Sequence, residues 1–325
     1  MKIIKVIAVI IISVVLLSAM LATYVYVALP ADKPVAALQI ERTPARIERG
    51  KYLATHVAVC IDCHSTRDWS AFSGPVVPGT LGKGGGIMDH SKGFPGDIRT
   101  PNITPFGLKD WSDGELVRAI TTGVSKNGKA IFPLMAYPRF GAMDKEDIYS
   151  IVAYIRTLQP IENVIPETTL DFPVNLINNT LPRDAHFTDL PDEKNIIKYG
   201  KYLVNAAGCV DCHSKNKNGK IIKGTEFGGG MEFKQPAGII RAPNITMNKE
   251  NGIGHYTSES FVIRFKAYAD SSYKLQKLTP GELNSPMPWI MYSGMKTSDL
   301  EAIFAYLNSV KTLDNDVEVR SLKKK

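Results

Sequence analysis

Cysteine is scarce in this chain of 325 residues: there are four, and all of them fall in two short motifs. The motifs are Cys60, Ile61, Asp62, Cys63, His64 and Cys209, Val210, Asp211, Cys212, His213. No thiol is left over for a disulfide framework or for a nucleophile elsewhere. Histidine is also sparse, at six residues, and two of those six directly follow the CxxC units. The triple glycines Gly84 to Gly86 and Gly228 to Gly230 lack the GK[ST] ending of a phosphate loop. No basic stripe interleaved with aromatics occurs, so nucleic acid is not implied as a partner.

The CxxCH spacing is what covalent attachment of a c-type haem requires. Two thiols one short turn apart add to the two vinyl groups of one porphyrin, and the adjacent histidine is carried beneath the iron as proximal ligand. Dithiol or disulfide units of thioredoxin type would not call for a histidine after both motifs. A zinc site would need ligands converging from both motifs. Two motifs imply two covalently attached haem c groups, bound through Cys60, Cys63 and His64 and through Cys209, Cys212 and His213.

Charge is absent from Val6 to Leu29, and Lys2 and Lys5 precede that apolar run. The run is long enough to span a bilayer and longer than the core of a secretory signal, and no convincing cleavage site precedes Pro30. An uncleaved single-pass anchor is expected in a bacterial inner membrane. Its lysines would stay in the cytoplasm, and everything after Pro30 would lie on the periplasmic side, where haem is attached to CxxCH motifs. The alternative is a cleaved leader that releases a soluble protein. The balance of 39 basic and 32 acidic residues gives +7, concentrated in the C-terminal half at Lys215, Lys217, Lys220, Lys223 and Lys323 to Lys325. That half would favour acidic docking faces or anionic lipid.

The rest of the chain repeats itself. Gly50, Lys51, Tyr52, Leu53 recur as Gly200, Lys201, Tyr202, Leu203, and the triple glycines recur in step. Ile98, Arg99, Thr100, Pro101, Asn102, Ile103, Thr104 return as Ile240, Arg241, Ala242, Pro243, Asn244, Ile245, Thr246. Met135, Tyr137, Met143 and Tyr154 match Met287, Trp289, Met295 and Tyr306. Ile148, Ile151, Val152 and Ile155, and equally Leu300, Ile303, Phe304 and Leu307, show the spacing of amphipathic closing helices, the second with a capping-box pattern at Ser298 and Glu301. Opening helices are predicted over 46–56 and 195–206, with Gly50 and Gly200 permitting close approach of the closing helices. Between the repeats, Pro160, Pro166, Pro173, Pro182 and Pro191 mark an extended connection. Its apolar Leu170, Phe172, Leu176, Ile177 and Phe187 are expected to pack it across both halves.

These residues carry a resemblance. The chain is similar to a class I cytochrome c duplicated in tandem, and more particularly to the cytochrome subunits of bacterial membrane-bound alcohol and gluconate dehydrogenases. Gly200 to Leu203, the PNIT strings at Pro101 and Pro243, Gly252 to Thr257 and Ser285 to Trp289 carry the likeness. It departs in motif number, with two here against a three-haem arrangement. The implied fold class is all-α: two tandem class I cytochrome c domains behind one N-terminal transmembrane helix. The expected divisions are an anchor over 1–30, a linker over 31–45, a first domain over 46–160, a Pro-rich connection over 161–192, a second domain over 193–313 and a basic tail over 314–325.

Each iron needs a sixth ligand. No cysteine is spare, and the other histidines (His56, His90, His186, His255) do not recur, whereas methionines do. Met287 lies between Pro286 and Pro288, whose fixed dihedrals can hold a thioether in place, and Met135 is its counterpart. The resemblance places the distal methionine at these positions. Met143 and Met295 compete, but read more simply as core, and Met88 and Met231 read as core filling. Histidine with methionine raises the reduction potential and leaves no open position at iron. Arg99 and Arg241 are candidates for pairing with haem propionates, and Trp289 is a candidate propionate donor or packing residue.

No catalytic acid or base is apparent. The expected role is therefore an electron-transfer protein without catalytic residues of its own. It would relay electrons between a dehydrogenase or quinol-oxidising complex and a terminal oxidase or soluble cytochrome. A dihaem peroxidase-type enzyme, or a docking subunit of a respiratory complex, are the alternatives.

Overall fold

The computed structural model describes residues 2–31, 34–35, 37–217 and 219–323. Residues 32, 33 and 36 of the expected linker, and Lys324 and Lys325 of the basic tail, lie outside the described residues. In chain order the helices are α1 (Lys2–Ala28), α2 (Pro44–Tyr52), α3 (Cys60–Cys63), α4 (Asp113–Thr122), α5 (Tyr137–Phe140), α6 (Lys145–Ile155), α7 (Val174–Asn178), α8 (Ile196–Ala207), α9 (Cys209–Cys212), α10 (Ser258–Lys266), α11 (Trp289–Tyr292) and α12 (Thr297–Ser309). Helix α1 is long and apolar enough to cross a membrane, and none of its residues is buried.

Two crossed helix pairs form the frame, α2 with α6 and α8 with α12. The glycines explain how close they come. A methyl on Gly50 would lie 1.7 Å from the Ser150 carbonyl oxygen, and one on Gly200 1.9 Å from that of Ala302. Thr43 caps α2 through the Arg46 amide, with Pro44 in the first turn. Asp144 caps α6 through the amides of Glu146 and Asp147. The capping box expected at Ser298 and Glu301 is not formed. Helix α12 begins two residues earlier than that cap requires, Lys296 occupies the cap position without a side-chain bond, and Asp299 is buried in other hydrogen bonds. The core runs through both pairs, with Leu53, Met143, Ile148, Ile151, Leu203, Met295 and Leu300 each at most 1% exposed.

The architecture is mainly helical but not all-α. Strands β1 (Ile87–Met88), β2 (Gly96–Arg99) and β3 (Thr169–Leu170) form one small sheet; β4 (Asn216–Lys217) and β5 (Lys220–Ile221) form a hairpin; β6 (Glu232–Gln235), β7 (Gly238–Arg241) and β8 (Arg320–Leu322) form another sheet. Strands of two to four residues are too short to show alternation in the sequence. In each three-stranded sheet, a segment from beyond the closing helix returns to flank a hairpin. It is seated over a glycine: a methyl on Gly96 (φ +122°) would meet the Thr169 carbonyl at 2.3 Å, and one on Gly238 (φ +154°) that of Ser321 at 2.1 Å.

The proline-rich connection is also differently held than expected. Several of its bonds run to the first half: Arg183, His186 and Thr188 donate backbone N–H to the carbonyls of Thr122, Gly141 and Met143, and the Leu190 amide donates to the Asp144 carboxylate. The side chains expected to pack are partly turned out, Phe172 being 78% exposed and Ile177 50%. Backbone hydrogen bonds, rather than apolar burial, hold this segment.

The halves join through a reciprocal contact. Tyr52 Oη donates to Asp299 (2.5 Å) and accepts from the Lys296 amide (3.0 Å). Tyr202 Oη donates to Asp147 (2.6 Å) and accepts from the Asp144 amide (3.2 Å). The repeated GKYL string thus supplies one tyrosine from each half to the closing helix of the other. Burial and the adjacent carboxylates raise both phenols well above their usual range, so both remain donors at neutral pH.

Candidate functional site

Each CxxCH unit is a single helical turn, α3 and α9, entered through a residue in the left-handed region, Val59 (φ 47°) and Gly208 (φ 72°). This break aims the turn away from the opening helix. The histidine at its end is buried, 7% exposed in both cases. His64 Nδ1 lies 2.9 Å from the Pro101 carbonyl oxygen, and His213 Nδ1 2.8 Å from that of Pro243. A carbonyl only accepts, so Nδ1 carries the proton and Nε2 keeps its lone pair, without a hydrogen-bond partner among the described residues. Burial lowers both imidazole pKa values below the usual range, against the opposing pull of the proline carbonyl, and so favours the neutral, metal-ligating form.

The four cysteines form no disulfide, and burial pushes the Cys60 and Cys209 thiols up to about 12. No group of three or more His, Cys, Asp or Glu side chains converges among the described residues, as a zinc site would require. Paired cysteines one turn apart, followed by a neutral imidazole with one nitrogen fixed and the other available, fit a covalently attached haem c in each half.

The PNIT strings, legible in the sequence only as repeats, are the supports of these histidines. The proline supplies the carbonyl. The asparagine binds the trailing segment, Asn102 Nδ2 donating to the carbonyls of Ile161 (2.8 Å) and Asn163 (3.1 Å), and Asn244 Nδ2 to those of Leu313 (2.9 Å) and Asn315 (3.4 Å). The threonine hydroxyl donates to the same asparagine's Oδ1, at 2.7 Å in both halves. Gly84 and Gly229 let this strand run close, since a methyl on either would lie 2.5 Å from the carbonyl carbon of Pro101 or Pro243.

Met135 and Met287 lie half-buried against the core, each just ahead of a short helix, α5 and α11. Met143 and Met295 are buried core. Met88 and Met231 are half-buried on the hairpins and do not fill the core. The Met287 loop is braced from the other half: Ser73 Oγ donates to the Met287 carbonyl (2.7 Å) and accepts from the Trp289 amide (2.9 Å), while Asn284 Oδ1 accepts from the Ser73 amide (2.8 Å). Trp289 Nε1 donates to Ser285 Oγ (3.2 Å), and its ring packs against Phe265 and Tyr268 beneath the Arg264 guanidinium. Arg99 and Arg241 are engaged on their hairpins, Arg99 with Asp97 (3.2 Å) and Arg241 with Glu232 (2.9 Å) and Ser321 (2.7 Å).

Sequence reasoning missed Ser73 and Arg139. Arg139, in the first half, pairs with Asp211 inside the second CxxCH unit (2.6 Å) and donates to the carbonyls of Asn205 and Ala206. Its charge reaches all four thiols, opposing their burial. Neither residue is matched in the repeat, so no pattern singled it out.

No family model matches the sequence. It is 24% identical over 254 residues to the cytochrome c subunit of a quinone alcohol dehydrogenase of Gluconacetobacter polyoxogenes, covering 72% of this chain and 51% of that one. The chain is similar to dehydrogenase cytochrome c subunits. It is also 25% identical to the gluconate 2-dehydrogenase cytochrome c subunit of Pantoea cypripedii (79% of this chain, 57% of that one). A dihaem c-type cytochrome of Cereibacter sphaeroides is 24% identical (78% of this chain, 83% of that one). The chain spans about half the length of the dehydrogenase subunits it matches.

Proposed function

We propose that this chain is a membrane-anchored dihaem c-type cytochrome that relays electrons. The donor would be a dehydrogenase or a quinol-oxidising complex, and the acceptor a terminal oxidase or soluble cytochrome. One observation carries the reading: each half sets two cysteines on one helical turn beside a buried imidazole whose Nδ1 is bound by a proline carbonyl. The units would be two cytochrome domains, over 46–160 and 193–313, behind an anchor over 1–30 in a bacterial inner membrane, with the haems on the periplasmic side.

Bound haem c would supply a one-electron ferric/ferrous couple in each domain. Cys60 and Cys63, and Cys209 and Cys212, would tether it; His64 and His213 would offer Nε2, and Met135 and Met287 their thioethers. Pro101 and Pro243 fix the imidazole tautomer, and Ser73 holds the backbone of the Met287 loop. The hairpin β4–β5 directly after His213 exposes Lys215, Lys217, Lys220 and Lys223, and suits an acidic face on a redox partner.

The test is the full-length protein purified from membranes of a host that attaches haem c. Two covalently bound haems per chain, a low-spin ferric spectrum with thioether coordination, and copurification of a redox partner are expected. A chain free of porphyrin, or a five-coordinate ferric iron that turns over peroxide, would refute the relay.

A further inference from the structure

Helix α1 has 27 residues, about 40 Å of helix at 1.5 Å per residue, against about 30 Å of hydrocarbon in a bilayer. If the hydrocarbon begins beyond Lys5, it ends near Val25, about 20 residues on. Tyr24 and Tyr26, 58% and 71% exposed, then stand where amphipathic rings gather at the membrane surface.

Helix α7 packs against α1 at this level. Asn179 Nδ2 donates to the Val25 carbonyl (3.4 Å), and Ala22 and Val25 are the residues of α1 that are not fully exposed. The adjoining Asn178, 4% exposed, donates from Nδ2 to the Ala130 carbonyl (3.0 Å) and so ties α7 to the first half. Around this double attachment, Phe172 is 78% exposed, Ile177 50% and Leu181 36%. Large apolar side chains turned outward, held at the depth of a membrane helix's last turns, have a bilayer interface as their natural cover.

We propose that the segment from Phe172 to Leu181 is a second, interfacial membrane contact, which seats the first half directly on the lipid surface. This rests on the reading of α1 as an anchor, and it goes further: the haem-bearing halves would hold a fixed orientation to the bilayer, the first half close to it, instead of swinging on a tether.

Photo-crosslinking in the full-length holoprotein tests it in native bacterial membranes. A benzophenone amino acid replaces Phe172, Ile177, Leu16 in the middle of α1, or Ile263, which is 59% exposed in the second half; haem content confirms that each sample is folded. Lipid adducts at 172, 177 and 16, with none at 263, are expected. Lipid adducts at 16 but protein adducts or none at 172 and 177 would overturn the interfacial contact while leaving the anchor intact; protein adducts there would mark a subunit interface. Loss of lipid adducts at 16 would overturn the anchor and this contact with it.

Discussion

The two halves repeat the histidine support almost atom for atom, yet they treat the methionine loop and the segment after CxxCH differently. In the first half, the chain beyond His64 turns back through the buried Ser73 to grip the Met287 loop of the second. In the second half, the chain beyond His213 leaves as a lysine-bearing hairpin exposed to solvent. The Met135 loop has no proline directly on either side of the methionine and, among the described residues, no clamp of this kind; its nearest bonds are local, from the Met135 amide to Phe132 and from the Tyr137 amide to Met135. The copies kept the support of the histidine and diverged after it, where one serves the contact between the halves and the other stays exposed to solvent.

The carboxylates that receive the reciprocal tyrosines diverge in the same manner. Asp147 also holds Arg49 in a bidentate pair, both contacts at 2.8 Å. Asp299 has Tyr199 at the corresponding place, at 3.3 Å. One interface corner is therefore ionic and the other rests on neutral donors.

The largest effect expected is at the shared helix crossing. Gly50→Ala and Gly200→Ala each push a methyl into a backbone carbonyl that cannot move without parting the helices, at a cost of more than about 3 kcal/mol. Both variants should lose folded protein and haem yield; normal yield from either would show that its half lacks the close crossing.

Next come the carboxylates. Asp147→Asn strands the Arg49 guanidinium, which is 23% exposed, and should cost about 2–3 kcal/mol. Asp299→Asn keeps one carbonyl acceptor for two phenols and should cost about 1 kcal/mol. Denaturant titration of the two variants side by side would remove the distinction if their midpoints fell together.

An effect on stability no larger than that of Asp299→Asn, about 1 kcal/mol, is expected for Ser73→Ala, but its signature is specific. Freeing the Met287 carbonyl and the Trp289 amide should weaken thioether coordination and lower the potential of the second haem alone. Redox titration with ferric spectra would show this; an equal shift at both haems would mean that Ser73 acts on overall folding.

Much of the site was legible because covalent chemistry leaves short signatures. CxxCH sets two cysteines and a histidine at fixed spacing on one turn, and Gly50 and Gly200 marked the helix crossing through their place in a repeated GKYL string. The capping box at Ser298 and Glu301 was misread, since the pattern of residue types does not reveal that Asp299 is drawn into the partner half's tyrosine. The small sheets were missed because strands this short carry no period. The connection was misjudged because its apolar residues were counted as core, whereas backbone hydrogen bonds hold it to the first half.

The sequence by itself determined the number of histidine and thiol sets, the duplication and the presence of one long apolar helix, because each depends on residues near one another in the chain. Only the tertiary structure decided which carbonyl fixes each imidazole, which serine holds the Met287 loop and which arginine reaches the second CxxCH turn. Those partners are separated by 30 to 216 residues, and hydrogen bonds and ion pairs depend on distance in space, so nothing local in the chain announces them.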